Sequence, residues 1–417
     1  KEGINNKKIK YIIVGDLPTN NDERSFILDK LTSLNASIKF LNVNQSNKIP
    51  FNNNIFEDID IDLLLSRERV NINYNAITQF FKNKEIIVTG GGGSIGSELC
   101  IQLLNFEIKK LIIIEKSEFN LFDIKKRISK LESTISVEYN LVDITDKYIL
   151  NEIFFSNKVD IIYHAAAYKH VVFGGNNIYN FFKNNLIGTK ILLDSARKFK
   201  VKNFMLVSTD KATEPINIMG LTKFLSEILC EIYQKEDQDL IINKVRFGNV
   251  LGTSGSVIPI FKEQIMNGGP LTVSHKDVTR YFMTKEEAVE LILYASKLGK
   301  FNELFFLDMG KPIKILDLAN KMIHLLGRNL NDSTSSKAIN NQINIEYKGL
   351  EPGEKINEIV HLGELEKTEH PRIYISNVKK DKIIDKKIIN NLINYIENDQ
   401  LGLENFVKQN FSNIEDI

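Results

Sequence analysis

Residues 84–96 read KEIIVTGGGGSIG, and the fold follows from how that stretch breaks. The apolar run Ile86-Ile87-Val88 is a strand, and it ends in four consecutive glycines. The run IGSELCIQLLNF that follows carries a helical pattern. Glycines at such a turn let the main chain approach a diphosphate without Cβ clashes. The helix start adds unpaired N–H groups and a positive dipole. Gly90, Gly93, Ser94, Ile95 and Gly96 are therefore the candidate phosphate-binding residues. A glycine turn alone is weak evidence, because loops favour glycine for conformational reasons. Its weight comes from Glu115, which ends the next strand, KLIIIE, 19 residues after Gly96. A carboxylate there is placed to accept the adenosine ribose hydroxyls. It also repels a 2′-phosphate, so NAD is expected rather than NADP, a preference that the adjacent Lys116 tempers. Asp143, after the third strand, reads either as a partner for the adenine amino group or as a helix cap before Thr145.

The pattern repeats outward. SVEYNLVD, VDIIYHAAA, KNFMLVSTD and LIINKVRFGNV continue the strand series, with helical stretches between them. Such alternation predicts an α/β fold with a doubly wound parallel sheet of Rossmann type, covered on both faces. One unit is expected over 84–375, with its nucleotide core mainly in 84–250. Past Gly252 the alternation loosens, which predicts a smaller C-terminal substrate lobe over 251–372. Residues 8–44 read strand, turn, helix, strand, so 1–60 form a small α/β N-terminal domain. Its turn, GDLPTNN, lacks the glycines of a nucleotide site. Residues 61–83 read as linker, the polar runs 45–54 and 331–341 as loops, and 376–417 as an amphipathic helical tail.

Composition narrows the functions. The 417 residues are 43% hydrophobic and 26% charged, which excludes a disordered chain. Lys+Arg 54 against Asp+Glu 53 leaves a net charge of +1, so nothing argues for nucleic acid or an anionic membrane surface as partner. No apolar run reaches the ~18 residues of a membrane span. Cys100 and Cys230 read as small buried hydrophobes of a reducing compartment. No metal site is read. The chain opens on Lys1 rather than Met, consistent with an upstream part that could include a membrane segment.

The spacing Thr89-Gly90-x-x-Gly93-x-x-Gly96 resembles the extended form of the short-chain dehydrogenase/reductase superfamily. That resemblance implies a Tyr-x-x-x-Lys pair, in which the Lys holds the nicotinamide ribose and lowers the Tyr pKa. Lys223 stands in the right place, but the residue four before it is Met219, which cannot carry a proton. The preceding strand instead ends in Thr209-Asp210-Lys211, three polar groups in a row.

The blocks STDKATEPINIMGLTK, RFGNVLGTSGSVIP, DVTRYFMTKEEA and GLEPGEK are similar to the long nucleotide-sugar 4,6-dehydratases of bacterial glycan synthesis. The similarity extends from about Asp62 to about Arg372. It implies conversion of UDP-N-acetylglucosamine to its 4-keto-6-deoxy sugar, with a tightly bound, recycled NAD. It also implies a homo-oligomer, and a cytosolic catalytic part of an inner-membrane protein. Lys211, once desolvated and neutral, suits removal of the C5 proton. Asp210, once protonated, suits donation to the departing C6 hydroxyl. Thr209 would bond the C4 oxygen and relay its proton to Asp210, and Lys223 would hold the ribose. Arg280 and Asn249 would grip the sugar diphosphate, against an alternative in which Arg280 pairs with Asp277 or Glu286. Ala165 would lie beside the cofactor and Lys169 and His170 in the pocket, while His164 reads as a packed core residue.

Two segments depart from the family pattern. Glu351 stands in GLEPGEK where the family carries Arg, and HAAAYKHV continues as VVFGGNNIYN. Both border the expected sugar site, so altered sugar specificity is expected. Two further readings are a nucleotide-sugar epimerase, which would keep the Tyr, and an inactive NAD-binding regulator.

Overall fold

The computed structural model describes residues 11–14, 23, 27, 30, 37–40 and 74–416, apart from 254, 327, 331–341, 360 and 378–385. In the first segment β1 (Tyr11–Val14) pairs in parallel with β2 (Ser37–Phe40). The runs read as loops at 45–54 and 331–341 lie outside the described residues. Part of the stretch read as linker is a helix. In α1 (Tyr74–Phe81), Ile77 and Phe81 are buried, and the Phe81 ring stacks 4.9 Å from Phe106. Apolar residues spaced four apart on this helix cover one face of the sheet, so the catalytic unit starts earlier than the strand pattern implied.

The first half of that unit runs β3 (Glu85–Thr89), α2 (Ser94–Leu103), β4 (Lys110–Glu115), α3 (Glu118–Ile128), β5 (Ser136–Leu141), α4 (Lys147–Ser156) and β6 (Ile161–His164). Next, α5 (Ile178–Phe181) passes through a π turn (Phe182–Ile187) into α6 (Gly188–Lys198). Then come β7 (Asn203–Val207), α7 (Ile218–Glu236) and β8 (Ile241–Arg246). The smaller lobe is built from β9 (Asn249–Val250), α8 (Val257–Met266), β10 (Leu271–Val273), β11 (Thr279–Arg280) and β12 (Phe282–Met283). The chain returns to the sheet through α9 (Lys285–Leu298) and β13 (Leu304–Leu307), then leaves it for β14 (Ile313–Lys314) and α10 (Ile315–Leu325). Two short pairs follow, β15 (Asn329–Leu330) with β16 (Gln342–Ile343), and β10 with β17 (Ile345–Tyr347). β18 (Glu364–Lys367) and β19 (Ile373–Asn377) close the sheet edge, and α11 (Lys386–Asn398) and α12 (Gln400–Asn410) form the tail.

One nine-stranded sheet has the order β18-β19-β13-β8-β7-β6-β3-β4-β5. All of its neighbours are parallel except β19 and β18. The order reverses between β3 and β6, the switch point where a doubly wound sheet opens a crevice at its carboxyl edge. Burial alternates along the strands as the pleat requires. Ile87, Ile112, Ile162 and Phe204 enter one apolar core, while Ile86, Leu111, Ile161 and Met205 enter the other. Cys100 and Cys230 are buried within these cores. The predicted Rossmann-type α/β fold is the one observed.

A buried ion pair fixes the helix behind the crevice. Arg246, ending β8, donates from Nε and Nη2 to Glu227 of α7 at 2.8 and 2.6 Å. Its Nη1 reaches Thr213 at 2.9 Å, and Glu227 accepts from Ser208 at 2.5 Å. Burial pushes the Glu227 carboxyl up, but Arg246 outweighs it and holds the group below the usual carboxylate range. Glu227→Ala would strand a buried guanidinium, so it should cost about 3–5 kcal/mol of stability. Denaturant unfolding of the variant checks this, and a loss below 1 kcal/mol would show the pair to be replaceable by solvent.

Candidate active site

The crevice at the carboxyl edge of β3, β6 and β7 opens into a cleft of about 1210 Å³. The glycine turn forms one end. Gly90 has φ +65° and accepts no side chain, because a Cβ there would lie 2.7 Å from the Ala166 Cα. Gly93 caps α2, Ser94, Ile95 and Gly96 form its first turn, and all four line the cleft. Glu115 lines a smaller adjoining cavity of about 230 Å³ with Lys116 and Ala165. Its two carboxylate oxygens accept from Gly92 N at 3.1 Å and Ser117 N at 2.9 Å. The acid thus braces the turn and retains lone pairs for a diol. Lys116 donates to Tyr168 at 2.6 Å and Asn184 at 2.9 Å, which engages its charge at the cavity wall. These groups fit the adenosine and diphosphate of a dinucleotide.

Asp143 does something else. Its Oδ1 accepts from both N and Oγ1 of Thr145 at 2.8 Å, so it shapes the turn after β5. The N-cap of α4 is Asp146, three residues on. Val142 and Ile144, not Asp143, line the smaller cavity.

The remaining predicted residues, buried Asp210 apart, meet in the main cleft. Thr209, Lys211, Met219, Lys223, Asn249, Arg280, Ala165 and Lys169 all line it. Thr209 follows Ser208 at the end of β7, and Asp210 opens a single 3-10 turn (Asp210–Ala212). Asp210 is buried; its Oδ1 accepts from Thr209 Oγ1 at 2.8 Å and Lys211 Nζ at 3.1 Å. Its Oδ2 is buried with no hydrogen-bond partner among the described residues. An orphaned carboxylate oxygen is costly unless a ligand or substrate satisfies it.

The surroundings of Lys211 favour its charged form. Burial pulls its pKa down, but Asp210 and Glu358 together outweigh burial and leave it above the ordinary lysine value. Its Nζ lies 3.3 Å from Glu358 and 3.4 Å from Asn249 Oδ1. Glu358 also lies 3.7 Å from Arg280 Nε, and Glu354 holds Arg280 Nη2 at 3.0 Å. The partners of Arg280 are therefore neither Asp277, which pairs with Lys314, nor Glu286. Sequence reading missed Glu354 and Glu358. They lie in and just beyond the GLEPGEK block already quoted, and their signal was a second acid four residues after the first.

Lys223 stands one helical turn after Met219, and both are buried. Its Nζ donates to the Val207 carbonyl at 2.7 Å. Burial pulls this ammonium down to about 8, against a smaller upward pull from Glu227. His164 is a core residue, bridging Thr89 and Thr189 at 2.8 and 2.9 Å, and burial holds it neutral. Asn185, in the π turn, accepts from Tyr168 N at 2.8 Å and donates to Thr222 of α7 at 2.9 Å. Nothing in the sequence pattern pointed to this brace. Glu351 is exposed on the turn leading to Glu354, and it does not line the cleft.

A family model described as "Polysaccharide biosynthesis protein" matches residues 86–378. The chain belongs to this family. A capsular polysaccharide biosynthesis protein, CapD, of Staphylococcus aureus is 37% identical over 90% of the chain and 61% of its own length. The chain thus spans about three fifths of that relative. A UDP-N-acetylglucosamine 4,6-dehydratase (inverting) of Campylobacter jejuni is 31% identical over 67% of the chain and 78% of that protein. Among solved structures, Pen from Bacillus thuringiensis is 30% identical with a TM-score of 0.63, over 73% of the chain and 90% of Pen. Structures about one-fifth identical share the fold and include several with NAD or NADH bound. The resemblance drawn from the motif blocks is borne out, and the family is one of nucleotide-sugar dehydratases and epimerases. Among the described residues no helix is long and apolar enough to cross a membrane.

The charge geometry yields a test. Glu358→Gln removes one of two anions facing Lys211, so the Lys211 pKa should fall, as read by NMR titration of the 13C-dimethylated lysine. Glu354→Gln, whose contact is with Arg280, should leave it nearly unmoved. Equal shifts from both would mean that Lys211 senses the lobe's net charge rather than Glu358.

Proposed function

We propose that the chain is the catalytic part of a nucleotide-sugar 4,6-dehydratase acting on UDP-N-acetylglucosamine, with NAD as its resident cofactor. The observation that carries this reading is the Thr209-Asp210-Lys211 turn, whose Thr209 and Lys211 line the cleft above the buried Asp210, with Met219 where a dehydrogenase tyrosine would stand. NAD in the glycine-turn cleft would supply a hydride acceptor for sugar C4 and a hydride donor for C6. Glu115 would hold its adenosine ribose and Lys223 its nicotinamide ribose.

The proton work falls to the strand end. The raised Lys211 pKa favours the ammonium beside Asp210 in the resting site. Moving its proton across the 3.1 Å contact gives a neutral amine and a protonated carboxyl without changing the net charge. That tautomer is the working one for elimination. Thr209 would hold the C4 oxygen, whose proton passes to solvent as C4 is oxidised. The 4-ketone acidifies C5–H, Lys211 takes the C5 proton, and Asp210 gives its proton to the C6 hydroxyl, which departs as water. After the hydride returns, Lys211 would give its proton back to C5 and Asp210 would regain one from solvent. Arg280, released from Glu354, and Asn249 grip the diphosphate. Incubation with UDP-N-acetylglucosamine should give a product lighter by one water; an isomer of equal mass would mean an epimerase.

Lys211→Met should permit reduction of bound NAD by substrate yet block both dehydration and exchange of C5 hydrogen with heavy water. Asp210→Asn should slow dehydration by ~10²–10⁴, the usual worth of general acid catalysis. Deuterium entering C5 in Lys211→Met at the parent's rate would move the base elsewhere.

Lys223 sets a pH limit. Its ammonium is charged below about 8 and neutral above, so NADH affinity should weaken as pH rises through that value. Lys223→Arg stays cationic and should flatten the profile. Fluorescence titration of NADH between pH 6 and ~9.5 reads both, and a flat parent profile would detach Lys223 from the cofactor.

A further inference from the structure

The C-terminal segment beyond α12 returns to the start of α7 and to loops that border the cleft. Phe411 and Ile414 pack against the larger apolar core. Asn413 Nδ2 donates to the Pro215 carbonyl at 2.6 Å, and Glu415 N to the Ile216 carbonyl at 2.8 Å. Asp416 then accepts from Ile218 N at 2.9 Å. Ile218 is the first residue of α7, whose N-cap Asn217 is already occupied with Gly220 N at 2.7 Å. One of the orphan donors at the start of the Met219/Lys223 helix is thus satisfied by a residue 198 positions away.

The same aspartate meets two further loops. At position 175 a Cβ would lie 1.8 Å from the Asp416 carbonyl oxygen, and at position 174 it would lie 3.0 Å from Asp416 Oδ2. Gly353, whose carbonyl accepts from Asn217 Nδ2 at 2.9 Å, approaches the Asp416 Cβ. These loops carry Phe173, Asn177 and Glu354 of the cleft wall. The departure at 172–175 now has a physical reason, because its two glycines make room for the returning chain.

We infer that Asn413–Asp416 is a positioning strap that joins loops 171–177, 213–217 and 351–357 and so sets the sugar-binding end of the cleft. The inference rests on the nucleotide-sugar reading for its kinetics, but its contacts can be read without it. The experiment compares Gly175→Ala, Asp416→Ala, Asp416→Asn and the double variant Gly175→Ala/Asp416→Ala in the full chain. Each is assayed for bound NAD, for KM and kcat with UDP-N-acetylglucosamine, and for hydrogen exchange in peptides covering 171–177 and 213–220. Gly175→Ala and Asp416→Ala should each raise KM about tenfold, change kcat less, leave NAD content unchanged and speed exchange in both peptides. Asp416→Asn keeps the acceptor for Ile218 N and should stay near the parent. The double variant should be no worse than Gly175→Ala alone, since the added methyl already expels the strap. Additive effects, or unchanged exchange in Gly175→Ala, would overturn the strap. Accelerated exchange with normal KM would leave a structural clasp and overturn its positioning role. A parent without turnover would sink the nucleotide-sugar reading, while the exchange arm would still decide the contacts.

Discussion

The buried Arg246–Glu227 pair is the constraint on which the catalytic geometry depends. Glu227 bonds Ser208, just before Thr209, and Arg246 bonds Thr213, just after the 3-10 turn. The pair therefore grips both ends of the segment that carries Thr209, Asp210 and Lys211. Glu227 also lies one helical turn after Lys223, so the face of α7 that carries Lys223 is held in register with that segment. A hydrophobic replacement of equal volume could match its stability, since burying two charges is expensive. It could not reproduce four directional bonds to β7, β8, the turn and α7. Geometry rather than stability explains the pair.

A second charge system sits in front of the first. Lys211 and Arg280 share Glu358, while Asp210 and Glu354 hold their outer sides. Two cations among three carboxylates leave the cluster one negative charge in excess. Under the proposed function a sugar diphosphate adds more negative charge at Arg280. It must displace Glu354, whose side chain is only partly buried and can swing toward solvent, whereas Glu358 is buried and stays. Substrate binding then removes an anion from Arg280 without freeing Lys211 from Glu358. That separates grip from proton transfer within one cluster.

The parts legible in the sequence were those whose partners are local or periodic. The strand Glu85–Thr89, its glycines and Glu115 are encoded within one βαβ unit, where the pleat and the turn leave a fixed pattern. Lys223 and the missing tyrosine were legible because both lie on one helix at fixed spacing. Glu358 was not, since its contact with Lys211 depends on the smaller lobe folding back over the sheet edge. Asn185 escaped because a π turn shifts which side chains face inward, and no periodicity announces it. The charge preference of Lys211 was not legible for a related reason: desolvation follows from a strand end, but an opposing carboxylate comes from residue 358. Asp416 was invisible for the same cause at greater distance. The glycines opposite it looked like a defect in the family pattern because their partner is 241 residues further on.

Under the proposed function Met219 marks a reassignment of the chemistry rather than its loss. In a Tyr-x-x-x-Lys enzyme the lysine holds the ribose and depresses the phenol pKa. Under the proposed function Lys223 would keep the first duty; it is bonded to the Val207 carbonyl beside the cleft, and its depressed pKa has no phenol to act on. A thioether in the tyrosine's place is apolar, so it adds no proton acceptor near C4. On that reading proton capacity lies instead with Asp210 and Lys211, on the 3-10 turn that packs against the same helix. A single tyrosine can take and return a proton at the C4 oxygen, which is all that oxidation and re-reduction require. Eliminating water across C5 and C6 requires a base and an acid active in the same step. Under the proposed function the adjacent Asp210 carboxyl and Lys211 amine, 3.1 Å apart, would provide both.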